Sequence, residues 1–305
     1  MKKLSKDNLN KLLVFCALLL TLILALVTFS DGGAIPSWKE IGHAFGLTED
    51  DLVSDDFVRF IDVGQGDSIL ISSNGYNAMI DFGNNSDNGR ELLHKLNEYN
   101  VDDLVCIFMT HYDSDHIGGA DAVLDYLDVD NVIIPKTEGE NTSAYRQVAN
   151  SLDNTDANVV IAQTGRLISV GDFIIEIVGY YRDEAESNDR SIILLAECDG
   201  VRFLFAGDAG KSIEYALMTE KKDIDCDVFK ASHHGSKYSN SEKFLKYITP
   251  EYTVISCGAN NSYGHPHEEV ISSLEKVGSA IYRTDEEGDI TFYLKDNDII
   301  VETER

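Results

Sequence analysis

Basic residues are scarce in this chain: 305 residues carry 25 Lys and Arg against 53 Asp and Glu, a formal net charge of −28. Such a surface repels polyanions and will not hold a nucleic acid by phosphate neutralisation alone. No stripe of interleaved basic and aromatic residues is visible along the sequence to offset it. The balance suits solubility, or a metal-rich or cationic setting. No two of the five cysteines form a CxxC pair, which argues against a zinc finger. Cys16 lies in an apolar run, too early and without the small residues of a lipoprotein signal. Cys106, Cys198, Cys226 and Cys257 read as free buried thiols. Solenoid repeats and low-complexity tracts are also missing, and 43% hydrophobic content is enough for a sizeable core.

The first thirty residues stand apart. Lys2, Lys3, Lys6 and Lys11 precede an apolar run from Leu12 to Phe29. Positive charge followed by an apolar stretch is an export signal. The run approaches the ~20 residues of a membrane span and has no polar face, unlike a buried core helix. Thr28 and Ser30 are small, but no Ala-x-Ala stands there, so an uncleaved anchor is favoured over a cleaved signal peptide. The lysines favour a cytoplasmic N-terminus and a body outside, anchored by a single helix or secreted. Residues 31–55 read as a linker with a short helix, broken by Gly32, Gly33 and Pro36.

Residues 56–305 read as one domain. Strands are expected at Phe57 to Val63, Ser68 to Ser72, Asn77 to Phe82, Leu104 to Met109, Asn131 to Ile134, Val159 to Ala162 and Phe173 to Val178. Others follow at Ser191 to Glu197, Val201 to Ala206, Asp227 to Lys230, Tyr252 to Ser256, Ala280 to Tyr282, Ile290 to Leu294 and Ile299 to Glu302. Asn74-Gly75 and Asp199-Gly200 are hairpin turns. Helical periodicity marks Arg90 to Tyr99, Lys211 to Thr219, Ser241 to Tyr247 and His267 to Val277. Two strand-rich halves, each with helices, imply two sheets packed face to face with helices outside.

The chemistry concentrates in short polar clusters that follow apolar strands. In Thr110-His111-Tyr112-Asp113-Ser114-Asp115-His116, four potential ligands fall within six residues. Imidazole and carboxylate suit zinc, manganese or iron. Asp208 ends an apolar run in Ala206-Gly207-Asp208; alone it reads as a turn residue. Ser232-His233-His234-Gly235-Ser236 offers two adjacent histidines, one to bind metal while the other packs or donates a hydrogen bond. His265 stands between Gly264 and Pro266 as a ligand, a general acid or a phosphate contact, although a helix N-terminal turn also fits. In Asp62-Val63-Gly64-Gln65-Gly66-Asp67, the glycines permit close backbone approach and free amides facing an anion. His43 and His94 read as ordinary surface residues.

Taken in order, these phrases resemble the metallo-β-lactamase superfamily. With Asp-Val-Gly-Gln-Gly-Asp, Ile80-Asp81-Phe82-Gly83, His233-His234-Gly-Ser236 and Tyr263-Gly-His265-Pro, they look like the extracytoplasmic hydrolase domain of the ComEC family of competence proteins. The resemblance covers roughly residues 56 to 295. The many membrane spans of a full competence channel are missing, so the chain reads as a stand-alone relative with one anchor. The resemblance implies an α/β fold, the αββα four-layer sandwich. It also implies two divalent metal ions, zinc or manganese, with magnesium admissible. The first site would take His111, Asp113 and a shared Asp208; the second Asp115, His116, Asp208 and one of His233 or His234. Two departures stand out. Asp113 replaces the superfamily's usual second His, and no isolated His lies between His116 and Asp208, where Asn188-Asp189-Arg190-Ser191 stands instead. Oxygen-rich ligation favours manganese or magnesium over zinc.

The function so implied is metal-dependent hydrolysis, most readily of a phosphodiester, with DNA among the substrates and no obligate protein partner. The resemblance offers Asp115 as the alternative group to orient the water, and His265 as a proton donor to the leaving oxygen or a phosphate contact. Two alternatives stay open. The charge of −28 favours a cell-wall or lipid phosphodiester, and the missing nitrogen ligand favours a non-catalytic binding module on the same fold.

Overall fold

Short apolar runs in which successive side chains point to opposite faces build both sheets. In β2 (Ser68–Ser73), Ile69 and Ile71 enter one buried cluster and Leu70 another, so the strand is apolar on both sides. The computed structural model describes residues 56–84, 87–136, 142–181, 187–295 and 298–305. The expected N-terminal segment and linker lie outside the described residues. Among the described residues, no helix is long and apolar enough to cross a membrane.

The first sheet runs β17–β16–β1–β2–β3–β5–β7–β8. Here β1 is Phe57–Phe60, β3 Tyr76–Phe82, β5 Cys106–Phe108, β7 Asn131–Ile134, β8 Asn158–Ile161, β16 Ile290–Lys295 and β17 Asp298–Thr303. The second runs β15–β14–β13–β12–β11–β10–β9. Its strands are β9 Leu167–Val170, β10 Phe173–Gly179, β11 Ile193–Cys198, β12 Val201–Phe205, β13 Val228–Lys230, β14 Tyr252–Ile255 and β15 Ala280–Arg283. A separate two-stranded sheet pairs β4 (Asp103–Leu104) with β6 (Asp128–Val129). Phe60, Ile71, Phe173, Phe203 and Phe205 belong to the layer between the two large sheets.

Helices cover both outer faces. Leu92 and Leu96 of α1 (Arg90–Glu98), Val123 of α3 (Ala120–Tyr126) and Val148 of α4 (Ser143–Asn154) pack with Leu70 and Ile107 of the first sheet. Against the second, α5 (Lys211–Thr219), α6 (Glu242–Ile248) and α7 (Glu268–Val277) bury Ile213, Phe244 and Leu274 beside Leu204 and Phe229. This is the α/β sandwich, with two sheets between two helical layers.

In each large sheet the helix-connected neighbours are parallel and the other pairs antiparallel. The parallel pairs are β3–β5–β7–β8 in one and β12–β13–β14–β15 in the other. Ligand-bearing loops gather beyond the carboxyl ends of parallel strands, and the loops after β3, β5, β12, β13 and β14 meet at one edge.

Some expected boundaries move. The strand expected from Phe57 to Val63 stops at Phe60, because the Asp62 amide donates to the Asp289 carboxylate rather than to a neighbouring strand. The run Leu104 to Met109 divides between β4 and β5. Helix α4 gives no sequence signal: its buried residues, Ala144, Val148 and Ser151, are too small to mark an apolar face, although Thr142 caps its N-terminus by accepting from the Tyr145 amide.

Phe203 is fully buried between sheets, with ring neighbours Phe173, Phe205 and Phe292. Phe203→Ala should destabilise the domain by about 3–5 kcal/mol. Urea unfolding of both forms checks this; a loss under about 1 kcal/mol would mean that the inter-sheet layer closes over the gap.

Candidate metal centre

Every candidate ligand lies just beyond a strand end, and the local backbone is bent to bring it inward. Asp81, near the end of β3, sits at φ 57 and is fully buried. After β5, Thr110 and His111 lead into a one-turn helix, α2 (Ser114–Ile117), which carries Asp115 and His116 with Asp113 at its N-cap. After β12, Gly207 at φ 49 brings Asp208 against Ser191 and Thr110; a Cβ there would stand 2.9 Å from the Ser191 hydroxyl. After β13, His233 (φ 53) and His234 (φ 54) are consecutive left-handed residues. That conformation costs roughly 1–2 kcal/mol per non-glycine residue. Asn240 helps hold the turn in place: its Oδ1 accepts from the Ser232 amide at 2.9 Å and its Nδ2 donates to the Ser232 carbonyl at 2.8 Å.

The result is one carboxylate faced by four imidazoles. Asp208 Oδ1 lies 3.1 Å from His116 Nε2, and Asp208 Oδ2 lies 3.7 Å from both His233 Nε2 and His234 Nε2 and 4.0 Å from His111 Nε2. Asp115 Oδ2 is 3.3 Å from His234 Nε2, and Asp113 Oδ2 is 3.9 Å from His111 Nε2. Both adjacent histidines therefore reach Asp208, whereas the sequence suggested a division of roles. Both residues lie in left-handed backbone, and their rings stand nearly perpendicular, at 81°. His265 stands over this group, with its ring 5.5 Å from that of His233 and 6.2 Å from that of His234.

Outer partners fix the rings. Asp81 accepts from the Thr110 amide (2.8 Å) and hydroxyl (2.6 Å), and its Oδ2 lies 2.7 Å from His116 Nδ1, leaving Nε2 to face Asp208. Lys230, 1% exposed, places Nζ 2.8 Å from Asp67 Oδ2, and Asp67 Oδ1 lies 3.2 Å from His234 Nδ1. Asp67, His116, Asp208 and His234 bring potential ligand atoms within 4.8 Å of one another. Asp67, however, faces the Nδ1 edges of both rings and Asp208 their Nε2 edges. With Lys230 neutralising it, Asp67 reads as a counter-charge behind His234 rather than a ligand.

Sequence reasoning missed Asp67, Asp81 and Lys230 as site residues. Their signal was a charged residue within or at the end of an apolar strand pattern, which needs a buried partner. The glycine loop also plays a different part from the one expected. The Asp67 amide donates to the Asp115 carbonyl (3.1 Å) and the Gly64 amide to Asp62 Oδ1 (3.1 Å), so these amides do not await an anion. Gly66 instead makes room for Asp115, whose carbonyl oxygen would stand 2.3 Å from a Cβ. In the Asn188–Ser191 segment, the Ser191 hydroxyl accepts from the Asp208 amide (3.1 Å) and Asn188 Nδ2 lies 3.4 Å from His233 Nδ1. His94 is exposed beside Glu98.

Charge and unmet hydrogen bonding point to a cation. His111 Nε2, His116 Nε2, His234 Nε2 and Asp208 Oδ1 are buried without a hydrogen-bond partner. Burial pulls the His116 pKa down, but Asp208 and Asp81 outweigh it and raise it well above the ordinary value. Against the same effect of burial, Asp208 and Asp67 push His234 up to about 9. Burial would raise Asp208, but His116 and His234 hold it well below the carboxylate range. His111 goes down, through burial and then His116. His265 falls to about 4, through burial and then His234 and His233. Convergent imidazole and carboxylate donors of this kind are a divalent-metal set, and the residues present fit such ions.

The match to the metallo-beta-lactamase superfamily covers residues 61–259, and the chain belongs to that superfamily. Within it, the chain is 29% identical over 262 residues to ComE operon protein 3 of Bacillus subtilis, covering 80% of this chain and 34% of that protein. It is 28% identical to Recombination protein 2 of Haemophilus influenzae (76% and 28%) and to Competence protein ComA of Neisseria gonorrhoeae (76% and 31%). The ComEC-type resemblance is thereby borne out, and the chain spans about a third of the length of these relatives. CmlA, a diiron beta-hydroxylase from Streptomyces venezuelae, shares the fold at TM-score 0.56 and 12% identity, over 84% of this chain and 59% of that one.

A metal must displace the proton that His234 holds below about pH 9. Binding should therefore release protons near neutrality, and apparent affinity should rise as pH climbs from 6.5 towards 9. Titration calorimetry with Mn²⁺ in buffers of differing ionisation enthalpy measures the released protons; identical heats in all buffers would contradict this charge balance.

Proposed function

We propose that this chain is a metal-dependent phosphodiesterase with nucleic acid as the favoured polymer. The observation that carries the reading is the Asp208 carboxylate, set among four imidazole edges from two loops with a second carboxylate on either side. One cation would be held by His111, Asp113, His233 and Asp208, the other by Asp115, His116, His234 and Asp208. His233 thus offers the nitrogen that the segment between His116 and Asp208 lacks, which weakens the case for a non-catalytic module. Divalent cations there would polarise a water for attack and neutralise charge gathering on the phosphoryl oxygens.

The chain's own groups supply the rest. Burial would raise the Asp115 pKa, but His234 and His116 lower it, so Asp115 is anionic and able to accept a hydrogen bond that orients the water. The neutral His265 ring offers an N–H to a phosphoryl oxygen. Negative charge on the substrate would raise its pKa towards the range in which it protonates the leaving oxygen. Relatives named for recombination and competence support a nucleic acid as the polymer. The charge of −28 favours the second reading, a cell-wall or lipid phosphodiester.

Asp208→Asn keeps the side-chain volume but removes the negative charge and one carboxylate oxygen from both cation positions. Losing an outer partner of a metal-bound histidine costs about 10–100-fold, so losing the shared carboxylate should lower kcat/KM by at least that much. Metal content should fall and far-UV circular dichroism should stay the same. Full metal content and rate in the variant would leave Asp208 a turn residue and end the two-metal reading.

The order of lysines and then an apolar run supports a body held outside the cytoplasm by residues 12–29. A C-terminal alkaline phosphatase fusion should be active and a C-terminal green fluorescent protein fusion dark when exported through the general secretory route. The opposite pattern would put the body in the cytoplasm.

A further inference from the structure

Strong negative charge argues against a polyanionic substrate only if it is evenly spread. Residues 235–250 depart from the average, with Lys237, Lys243 and Lys246 against a single carboxylate, Glu242. That carboxylate is occupied by Lys246 at 2.6 Å and Lys276 at 3.3 Å. The fold adds to this patch from other elements. Lys211, at the start of α5, reaches the Lys237 carbonyl at 2.5 Å, and the Lys211 amide donates to the Tyr238 carbonyl. Lys237 Nζ lies 5.8 Å from the Tyr238 ring and Lys243 Nζ 5.8 Å from the Tyr215 ring.

The tyrosines are the second observation. Tyr215, Tyr238 and Tyr263 are 62–69% exposed, although most rings in this chain are buried between the sheets or under helices. An exposed ring next to a lysine offers a stacking face beside a phosphate contact, the pairing that single-stranded nucleic acids use. A duplex cannot use it, since its bases are already stacked on one another.

The patch is continuous with the metal centre. Tyr263 stacks on His265 at 5.6 Å and 20°, and His265 lies 5.1 Å from His267. The Lys237 amide reaches His267 Nδ1 at 3.3 Å. From there the surface opens into a groove of about 500 Å³ lined by Lys211, Lys237, Tyr238 and Ser273, with Glu242 and Glu269 as its carboxylates. These contacts connect Tyr263 through His265 and Lys237 to Tyr238, and across α5 and α6 to Tyr215.

We propose that this lysine–tyrosine path binds single-stranded nucleic acid and leads it to the metal centre. The inference rests on the phosphodiesterase reading and narrows its substrate to a strand with unstacked bases. Phosphates would run along Lys211, Lys237 and Lys243, and bases would stack on the tyrosines. The acidic surface elsewhere repels the strand and so confines it to this path.

The test separates binding from hydrolysis. The full chain, with EDTA present to prevent cleavage, is titrated into fluorescein-labelled dT20 and into the matching dT20·dA20 duplex, read by anisotropy. Tighter binding of the single strand is expected. The combined Lys211→Ala, Tyr215→Ala, Tyr238→Ala and Lys243→Ala variant should lose at least about tenfold in affinity for dT20. The slope of its salt dependence should fall by about 1.4, from two lost lysine–phosphate contacts. Tyr215→Phe with Tyr238→Phe, which keeps the rings, should bind as the parent does. With Mn²⁺ restored, bis(4-nitrophenyl) phosphate should be cleaved at the parental rate by the four-residue variant, because no changed side chain touches the centre. Equal affinity of parent and variant for dT20 overturns the proposal, as does equal or tighter binding of the duplex. Loss of small-substrate hydrolysis in the variant overturns it too, by making these residues structural. A parent that binds dT20 through this path but cleaves no phosphodiester would refute the hydrolase reading and leave the binding path standing.

Discussion

Asp67, Asp81 and Asp208 are at most 3% exposed, and the arrangement of the site follows from the need to compensate them. A buried ion costs several kcal/mol unless it is paired and hydrogen-bonded. Asp81 meets that need through Thr110 and His116, and Asp67 through Lys230 and His234. Asp81 occupies the Nδ1 edge of His116, the Ser256 carbonyl takes that of His234 at 2.9 Å with Asp67 beside it, and both Nε2 edges turn towards Asp208. The compensation that keeps the fold stable is thus the same one that aims the ligands. Asp208 alone has only imidazoles around it, and its Oδ1 accepts no hydrogen bond. In the metal-free centre, protons on His116 and His234 supply its positive charge; a divalent cation does so with higher charge and fixed geometry.

The sandwich determines which residues can meet there. Two packed sheets stand ~10 Å apart, so loops leaving the same edge of both are within side-chain reach of one another. Asp81 and the His111–His116 loop come from the first sheet, Asp208 and the His233–His234 turn from the second. A backbone contact ties the halves together at this edge, the Ile192 amide donating to the Thr110 carbonyl, and within the second sheet the His233 amide donates to the Gly207 carbonyl. The layer of phenylalanines between the sheets sets the spacing that these contacts need.

Much of this was legible in the sequence, and the remainder was hidden for physical reasons. Strands announced themselves because both faces are buried, as in β2, where every residue is apolar or small. The ligand clusters were legible because each follows such a run. What stayed hidden depends on the third dimension. A lone Asp81 inside an apolar run cannot show that its partner is His116, 35 positions away. The Lys230–Asp67 pair spans the two halves of the chain. The shared approach of His233 and His234 arises from two left-handed residues, and only glycine advertises that conformation in a sequence. Helix α4 was missed because Ala144 and Ser151 bury too little to mark a face. The basic and aromatic residues of the groove come from α5, α6 and two loops, so no linear stripe could reveal them.

Net charge is a poor guide to what approaches this centre. At physiological ionic strength the Debye length is about 8 Å, so a phosphate in the groove responds mainly to charges within that range. Around His265 these are His233, His234, His267, Asp208 and whatever cations the centre holds, not the bulk of the acidic surface. Two bound divalent ions would place four positive charges among Asp113, Asp115 and Asp208, whose carboxylates sum to minus three. Asp81 adds a further negative charge behind His116 and Lys230 offsets Asp67, so the loaded centre would be close to neutral within a molecule of charge −28. A phosphodiester, with its single negative charge, would meet less repulsion there than at the metal-free centre. The metal-free centre attracts an anion only through its histidine protons, which are lost as pH rises. Loading with metal would therefore ease the approach of an anionic substrate as well as supply a reactive water, as the phosphodiesterase proposal requires.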